Sequence, residues 1–475
     1  MSDPDKFPRV VIAGMAGSSG KTIVSLALLR QLQRRGVEVR AFKKGPDYID
    51  AAWLSWAASH VARNLDTYLM ASERVLESFT RHAVPTGLNL IEGNRGIFDG
   101  FDADGTHSTA ALARCLTAPV ILVVNAQKVT RTAAAFVLGC QKLDPDVAIR
   151  GVILNNVSGE RHRDIIKSAI ESTCSIPVLG ALPHINTGLL PERHLGLVPP
   201  QEHSTADKLG QDLFQLVEGH LDLDAILSIA QAAPALPPAQ RISVARRVTS
   251  DVNIGYLKDA AFTFYYPENL EALEQSGAKL VPISALEANA LPDTLHALYI
   301  GGGFPETHAR RLSENVSFLR SVRQAALRGL PIYAECGGLI LLAANLFWRG
   351  ARYPMAGVFP FDVEVHDSPQ GHGYSTLHVE SPNPFFPAGV TLHGHEFHYS
   401  RILPSAEKVS TACAVNRGTG CFDNREFVMT GNVVATYTHL HALASPEWAA
   451  GMVNAAKGFT KGAVVPAHEG AGLAE

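Results

Sequence analysis

Paired cysteines are missing from this chain. Its six cysteines (115, 140, 174, 336, 413 and 421) are scattered, with no CxxC pair. That pattern speaks against a disulfide framework and against a structural zinc site. Long apolar runs are also absent; none approaches the roughly 20 residues of a membrane-spanning helix. Nor is there an excess of positive charge. The 41 Lys and Arg against 45 Asp and Glu leave a net −4, which argues against a general nucleic-acid role, because neutralising phosphates takes a basic surface. The opening "MSDPDKFPRV" lacks the basic-then-apolar order of a signal peptide and leads into a strand. The expected location is therefore cytoplasmic. No internal repeat and no low-complexity block interrupts the chain.

What is present is length and alternation. The 475 residues exceed one ordinary core, so two domains are expected. In the first half, apolar runs at 9–14, 37–42, 88–93, 119–126, 150–157 and 177–183 alternate with helical stretches. Several are apolar almost throughout, as strands buried on both faces are. An Ala/Pro-rich stretch, "AAPALPPAQRISVA", reads as a linker. A second series follows, with strands at 252–257, 279–284, 297–302 and 331–336, helices from Pro267 and over 308–328, and a strand-rich section to about 441. A short helix near 445–457 precedes a loose tail. The reading is α/β, with each domain a mostly parallel sheet flanked by helices. The boundaries are 1–232, a linker at 233–248, 249–458, and a tail at 459–475.

"GMAGSSGKT" (14–22) follows a strand and opens a helix, the setting of a phosphate-binding loop. Gly17 and Gly20 let backbone N–H groups face phosphates, Lys21 meets the terminal phosphates, and the Thr22 hydroxyl reaches Mg²⁺. The usual GxxxxGK[ST] spacing would put a glycine at Met15, so the loop is a variant. A turn that binds nothing is the alternative. A magnesium nucleotide needs carboxylates nearby. "IEGNRGIFDG" puts Glu92 at a strand end and Asp99 in the next loop; "FKKGPDYID" offers Lys43, Lys44, Asp47 and Asp50 after another strand. Ligands of open α/β sheets sit at such strand ends. Taken singly, each acid could be a solvated loop carboxylate.

"YAECGGLI" puts Cys336 at a strand end before two glycines, the form of a nucleophile elbow. The following helix start is expected to lower the thiol pKa. A buried structural cysteine is the bland alternative. "GGGFPE" (301–306) offers clustered N–H groups for an oxyanion hole, and "ATYTHLHAL" offers His439 as a base. In "LHGHEFHYS", His393 and His395 share one strand face and Glu396 and His398 the other, which disfavours a shared metal ion.

The loop spacing resembles the dethiobiotin-synthetase group of nucleotide-binding enzymes. The strings "FKKGPDYID", "RNLDTYLM", "IEGNRGIFDG", "THSTAALAR", "GVILNNV" and "LPERHLGLVP" resemble the cobyrinate a,c-diamide synthases over nearly the whole chain. The second half resembles cobyric-acid-type class I glutamine amidotransferase domains. The resemblance implies a P-loop-like synthetase domain that binds ATP with Mg²⁺ through Gly17, Gly20, Lys21, Thr22, Lys43 and Asn155, with Thr22 and Glu92 at the metal. It implies Asp47, Tyr48, Asp50 and Asp99 at the substrate and acyl phosphate, and a Cys336–His439 pair that releases ammonia from glutamine. Class I enzymes usually carry an acid two residues past the histidine; here that position is His441, so any third member stays open.

The implied reaction is amidation of the a- and c-acetates of cobyrinate in cobalamin biosynthesis. The partners are ATP, L-glutamine and the tetrapyrrole, with neither nucleic acid nor membrane, and a homodimer is compatible. Arg63, Arg193 and His194 are candidate cations for the acidic macrocycle. Other readings stay open: hydrogenobyrinate or nickel sirohydrochlorin as acceptor, a ligase with a dead thiol half, or a nucleotide-dependent regulatory or metal-insertion protein.

Overall fold

A computed structural model of the chain describes residues 6–184, 218–237 and 252–460, together with 192–193, 196–197 and 200. The chain divides into two compact units, Met1–Ile242 and Ser243–Glu475.

The first unit is built on a seven-stranded parallel sheet. Its strands are β1 (Arg9–Gly14), β2 (Val39–Lys44), β3 (Arg63–Leu65), β4 (Leu88–Glu92), β5 (Val120–Asn125), β6 (Ile149–Val157) and β7 (Val178–Pro183), in the order β3-β2-β4-β1-β5-β6-β7. Every residue of β1 is buried, because helices cover both faces of a parallel sheet. Helix α1 (Lys21–Arg34) turns Val24, Leu28 and Leu32 inward at a spacing of four. Helix α2 (Tyr48–Ala58) starts at Asp47, whose side chain accepts from Asp50 N at 2.8 Å. The order reverses around β1, so the carboxyl ends of β1, β2, β4 and β6 open on one crevice. Strand β3 is three residues, "RNL", too short to give a period. Two-residue strands β8 (Glu192–Arg193) and β9 (Gly196–Leu197) pair antiparallel.

The stretch expected as a linker begins packed. Ala233 is buried, and Pro234 O accepts from Arg9 Nη2 at 2.7 Å. Residues 238–248 of that expected linker and 461–475 of the expected tail lie outside the described residues.

In the second unit, β10 (Val252–Leu257), β11 (Ala278–Ile283), β12 (Ala297–Ile300) and β13 (Ile332–Glu335) are parallel. A subsidiary sheet is made by β14 (Asn345–Trp348), β15 (Ala351–Pro354), β16 (Asp362–Val365) and β19 (Ser400–Ile402). The main sheet continues through β17 (Gly371–Val379), β18 (Thr391–His398), β20 (Ser410–Arg417), β21 (Arg425–Thr430), β22 (Val433–Thr436) and β23 (His439–Leu440), in the order β11-β10-β12-β13-β22-β21-β20-β17-β18-β23. Strand β22 is parallel to β13, and the strands beyond it run antiparallel to their neighbours. Two residues, Tyr437 and Thr438, join mid-sheet β22 to end strand β23, so the sheet must curl back on itself. Alternation along β12 and β13 sends Leu298, Ile300, Ile332 and Ala334 into one core cluster and Tyr299 and Tyr333 into the other.

The single helix expected over 308–328 is in fact two, Ala309–Glu314 and Val316–Leu327. Asn315 divides them. Its Nδ2 donates to Ala285 O at 3.0 Å and Ala288 O at 2.9 Å, while Oδ1 accepts from Phe318 N at 3.4 Å. A capping amide bonded this way competes with helix continuation.

Candidate active sites

At the crevice of the first unit, sequence-distant strand ends converge on one lysine. Lys43 and Glu92 are register partners on β2 and β4. Lys43 Nζ donates to Asp50 Oδ2 at 2.6 Å, Glu92 Oε1 at 2.8 Å and Gly93 O at 3.3 Å. Burial alone would push this ammonium down, but Asp50 and Glu92 hold it above its ordinary value. Thr22 Oγ1 donates to the same Glu92 Oε1 at 3.0 Å. The other carboxylate oxygen, Glu92 Oε2, is buried and meets no hydrogen-bond partner among the described residues. An unsatisfied carboxylate oxygen beside a hydroxyl is a donor set that suits a hard cation.

The loop itself explains two of its glycines. Gly20 has φ +94°, and a Cβ there would lie 2.1 Å from Asn155 Nδ2. That amide donates to Ser19 O at 3.0 Å and so ties β6 to the loop. A Cβ on Gly14 would lie 2.9 Å from Ser19 Oγ. Gly17 is exposed at the tip, where a Cβ would meet nothing within 4 Å. Lys21 Nζ donates to Arg95 O at 2.8 Å and Ala16 O at 3.2 Å. Burial, and then the Lys43 charge, lower its pKa, while Glu92, Asp50 and Asp99 act against them.

The remaining acids differ among themselves. Asp47 is pushed up to about 7 by burial and by the Asp50 charge, against the pull of Lys43. Asp99 Oδ2 accepts from Gly96 N at 2.8 Å and so organises its own loop. Tyr48 opens α2 and is half-buried. Lys44 points to the opposite face from Lys43, as alternation requires, and pairs with Asp66 at 3.4 Å. Arg63 is buried on β3. The Arg193 side chain and His194 lie outside the described residues.

In the second unit, Cys336 follows β13 with φ 48° and ψ −99°, a conformation that side chains other than glycine rarely adopt. Its N–H donates to Thr436 O at 2.7 Å, and its neighbours are built to fit. A Cβ on Gly337 would sit 3.0 Å from Gly303 N, and one on Gly338 2.5 Å from Ile300 O. In the turn after β12, Gly301 N donates to Tyr265 Oη at 2.8 Å and Phe304 N to Ala261 O at 3.0 Å. The backbone nitrogen of Gly303 thus lies close beside Gly337, the residue that follows the thiol. His439 abuts the same turn: a Cβ on Gly302 would lie 2.6 Å from its Cε1 and 3.3 Å from its Nε2.

The expectation of a lowered thiol pKa is corrected. Cys336 is only 6% exposed. Burial pushes the thiol well up, and the charge of Glu306 adds to it; the Gly337 N–H pulls the other way and is outweighed. The helix after the thiol, Gly337–Leu342, is six residues long, too short for its dipole to prevail.

Three features around His439 escaped the sequence reading. His395, its register partner on β18, stacks on it with ring centroids 5.0 Å apart. Burial and the His439 charge hold His395 well below the ordinary histidine range. His393 is exposed, so the two histidines expected to share a strand face have different surroundings. Third, Glu335 Oε2 lies 3.4 Å from His439 Nδ1. A carboxylate in the apolar run "PIYAEC" was the available signal, since a buried acid needs a partner.

Two family models match the chain: a CobQ/CobB/MinD/ParA nucleotide binding domain over residues 10–197, and a CobB/CobQ-like glutamine amidotransferase domain over residues 253–447. Curated proteins similar to it along most of their length include several named cobyrinate a,c-diamide synthase. The protein from Magnetococcus marinus is 42% identical over 451 residues, covering 94% of this chain and 96% of its own. The Archaeoglobus fulgidus protein is 38% identical, covering 93% and 95%. The Methanothermobacter thermautotrophicus protein is also 38% identical, covering 93% and 98%.

Proposed function

This chain belongs to the cobyrinate a,c-diamide synthase family, and on that premise we propose that its two units serve one reaction, the ATP- and glutamine-dependent amidation of the a- and c-acetates of cobyrinate. The observation that carries this reading is the coexistence in one chain of the Thr22–Glu92–Lys43 cluster beside the phosphate loop and a strained Cys336 beside Gly303.

A carboxylate does not condense with ammonia at a useful rate, because hydroxide is a poor leaving group. In the first unit a substrate carboxylate oxygen attacks the terminal phosphorus of ATP. The bond to ADP breaks and an acyl phosphate forms. Ammonia then attacks the acyl carbon, phosphate leaves with the electrons of the C–O bond, and the nitrogen gives up a proton. Lys21 stabilises charge on the phosphates, Gly17, Gly20 and Asn155 shape the loop that holds them, and Lys43 fixes Asp50 and Glu92. Asp47, titrating near 7, suits the transfer of that proton, and Tyr48, Asp50 and Asp99 line the acceptor side. Thr22 and Glu92 would hold Mg²⁺, whose charge offsets that of the phosphates.

In the second unit the Cys336 thiol gives its proton to His439 and attacks the glutamine side-chain carbon. The backbone N–H of Gly303, beside the residue that follows the thiol, is the donor best placed to meet the resulting oxyanion. The C–N bond breaks, His439 returns the proton to the departing ammonia, and water releases glutamate from the thioester. Ammonia is mostly protonated in neutral water, so making it within the protein keeps it nucleophilic. A cytoplasmic setting, a homodimer and the absence of nucleic acid belong to the same proposal. Among the described residues no helix is long and apolar enough to cross a membrane.

The test offers cobyrinate, hydrogenobyrinate and nickel sirohydrochlorin in parallel, with ATP, Mg²⁺ and glutamine, and weighs the products. Two amides on cobyrinate are expected, with two ATP and two glutamine consumed. Preference for either other compound would move the substrate assignment. ATP hydrolysis with no amide on any of them would overturn it in favour of a regulatory role.

A further inference from the structure

We propose that Glu335, the residue before the nucleophile, is the positioning acid of the glutaminase site. The inference rests on Cys336 and His439 being the reacting pair. The position two residues past the histidine, where an acid would ordinarily stand, is His441. That ring is turned elsewhere: its Nε2 lies 3.7 Å from Glu268 and it packs on Tyr266 with centroids 4.5 Å apart. The carboxylate that reaches His439 comes from β13 instead, at 3.4 Å from Nδ1.

Several observations make this more than proximity. Glu335 is fully buried at the end of an apolar strand, a costly place for an acid without a partner. Both its oxygens are engaged. Oε2 accepts from Tyr299 Oη at 3.1 Å, and Oε1 accepts from Leu440 N at 3.2 Å, the residue after His439. One carboxylate thus grips the backbone beside the histidine and faces its ring. Alternation along β13 dictates the direction, because residue 335 projects to the same face as Tyr333. The ring contacts divide accordingly. Nδ1 faces Glu335, and Nε2 faces the Gly302 turn that Gly337 also borders. A carboxylate at Nδ1 favours the tautomer that carries its proton there and presents the Nε2 lone pair to the thiol proton.

The chemistry needs such a group. The Cys336 thiol is held protonated by burial, so its proton must move to His439 as sulfur attacks. The imidazolium formed in that step is stabilised by the carboxylate 3.4 Å from Nδ1. His395, stacked on the other face and neutral, cannot supply this.

The experiment compares glutamine hydrolysis by the full-length wild type, Glu335→Gln, Glu335→Asp and Cys336→Ala, with thermal unfolding of each. Glu335→Gln is expected to lower kcat about 100-fold with KM for glutamine within about twofold. Glu335→Asp, which keeps the charge but withdraws it by one methylene, should lie between, about tenfold down. Wild-type kcat in Glu335→Gln, or a change confined to KM, overturns the proposal. So does a Glu335→Asp no better than Glu335→Gln. Should Glu335→Gln fail to fold, Glu335→Asp carries the test by its own kcat and KM, and wild-type kcat there overturns it. Hydrolysis surviving in Cys336→Ala would instead remove the reading beneath it, so the two failures are distinguishable.

Discussion

Thr22 Oγ1 donates to Glu92 Oε1 at 3.0 Å, joining the second residue of α1 to the last residue of β4. The same oxygen takes the Lys43 ammonium at 2.8 Å. Glu92 therefore serves two neighbours with one oxygen and keeps the other unbonded among the described residues. Glu92→Gln keeps the shape but removes half of the countercharge of Lys43. Breaking a buried ion pair costs about 3 kcal/mol or more. The first unit should unfold at lower temperature, and synthesis should be lost from glutamine and from ammonium alike. Glutamine hydrolysis, measured as glutamate release, should persist.

Lys21→Ala should abolish synthesis with either nitrogen source, by about 100- to 1000-fold, because phosphate stabilisation in transfer is electrostatic. Among the described residues Lys21 Nζ hydrogen-bonds to two loop carbonyls, Ala16 O and Arg95 O, so little stability is at stake. Turnover followed at saturating ATP decides the matter; a near-normal rate would remove the nucleotide assignment.

Cys336→Ser should lose glutamine-driven synthesis and keep the reaction driven by high ammonium. His439→Ala should behave in the same way. Gly302→Ala provides an independent approach from the backbone. Its new Cβ would stand 2.6 Å from His439 Cε1, forcing the imidazole aside. We expect at least a tenfold fall in glutamine hydrolysis, since small displacements of a catalytic group are costly. Full glutaminase activity in Gly302→Ala would mean that the His439 position is not critical.

Glu426 yields a pH prediction. Burial, and then the Glu396 charge, raise its carboxyl to about 7 despite donors from Cys421, Thr436 and Phe427. The folded protein then holds a proton that the unfolded chain releases near the ordinary glutamate value. Its contribution to stability accordingly falls as pH rises, from about 4.5 up through about 7. The full span amounts to about 3 kcal/mol. Glu426→Gln removes this dependence. Thermal unfolding at pH 5 and pH 8 should therefore reveal a wild type that loses more stability than the variant. Equal losses in the two proteins would count against the raised value.

Much of this could be read from residues in sequence. The apolar runs that became β1, β4, β5 and β6 announce strands buried on two faces, and Gly-Lys-Thr after such a run announces a phosphate loop. Pro267 marks a helix start because its fixed φ suits a first turn. The strand-end loops bearing Lys43, Asp50 and Glu92 were legible too; which of them would pair was not, since register between β2 and β4 is set by tertiary packing. Asn315 looked like one polar residue in a helix until its amide found two carbonyls from a distant turn. The thiol pKa was misjudged for a similar reason. Local sequence advertises the helix start, while burial and Glu306 come from the rest of the fold. Glu335 and His439 lie 104 positions apart in number and meet only because β22 lies beside β13 and runs directly into β23.

The burial of Cys336 also bears on how the protein ages. Peroxide, alkylating agents and other disulfides all react with thiolate, and a thiol kept protonated is a poor target for each of them. An idle enzyme thus carries its most reactive atom in an unreactive form, and exposure to damage begins only with turnover. Inactivation by iodoacetamide should be slow in resting protein, and Cys115 and Cys140, whose thiols burial also raises but which are partly exposed, should be modified ahead of Cys336 through access alone.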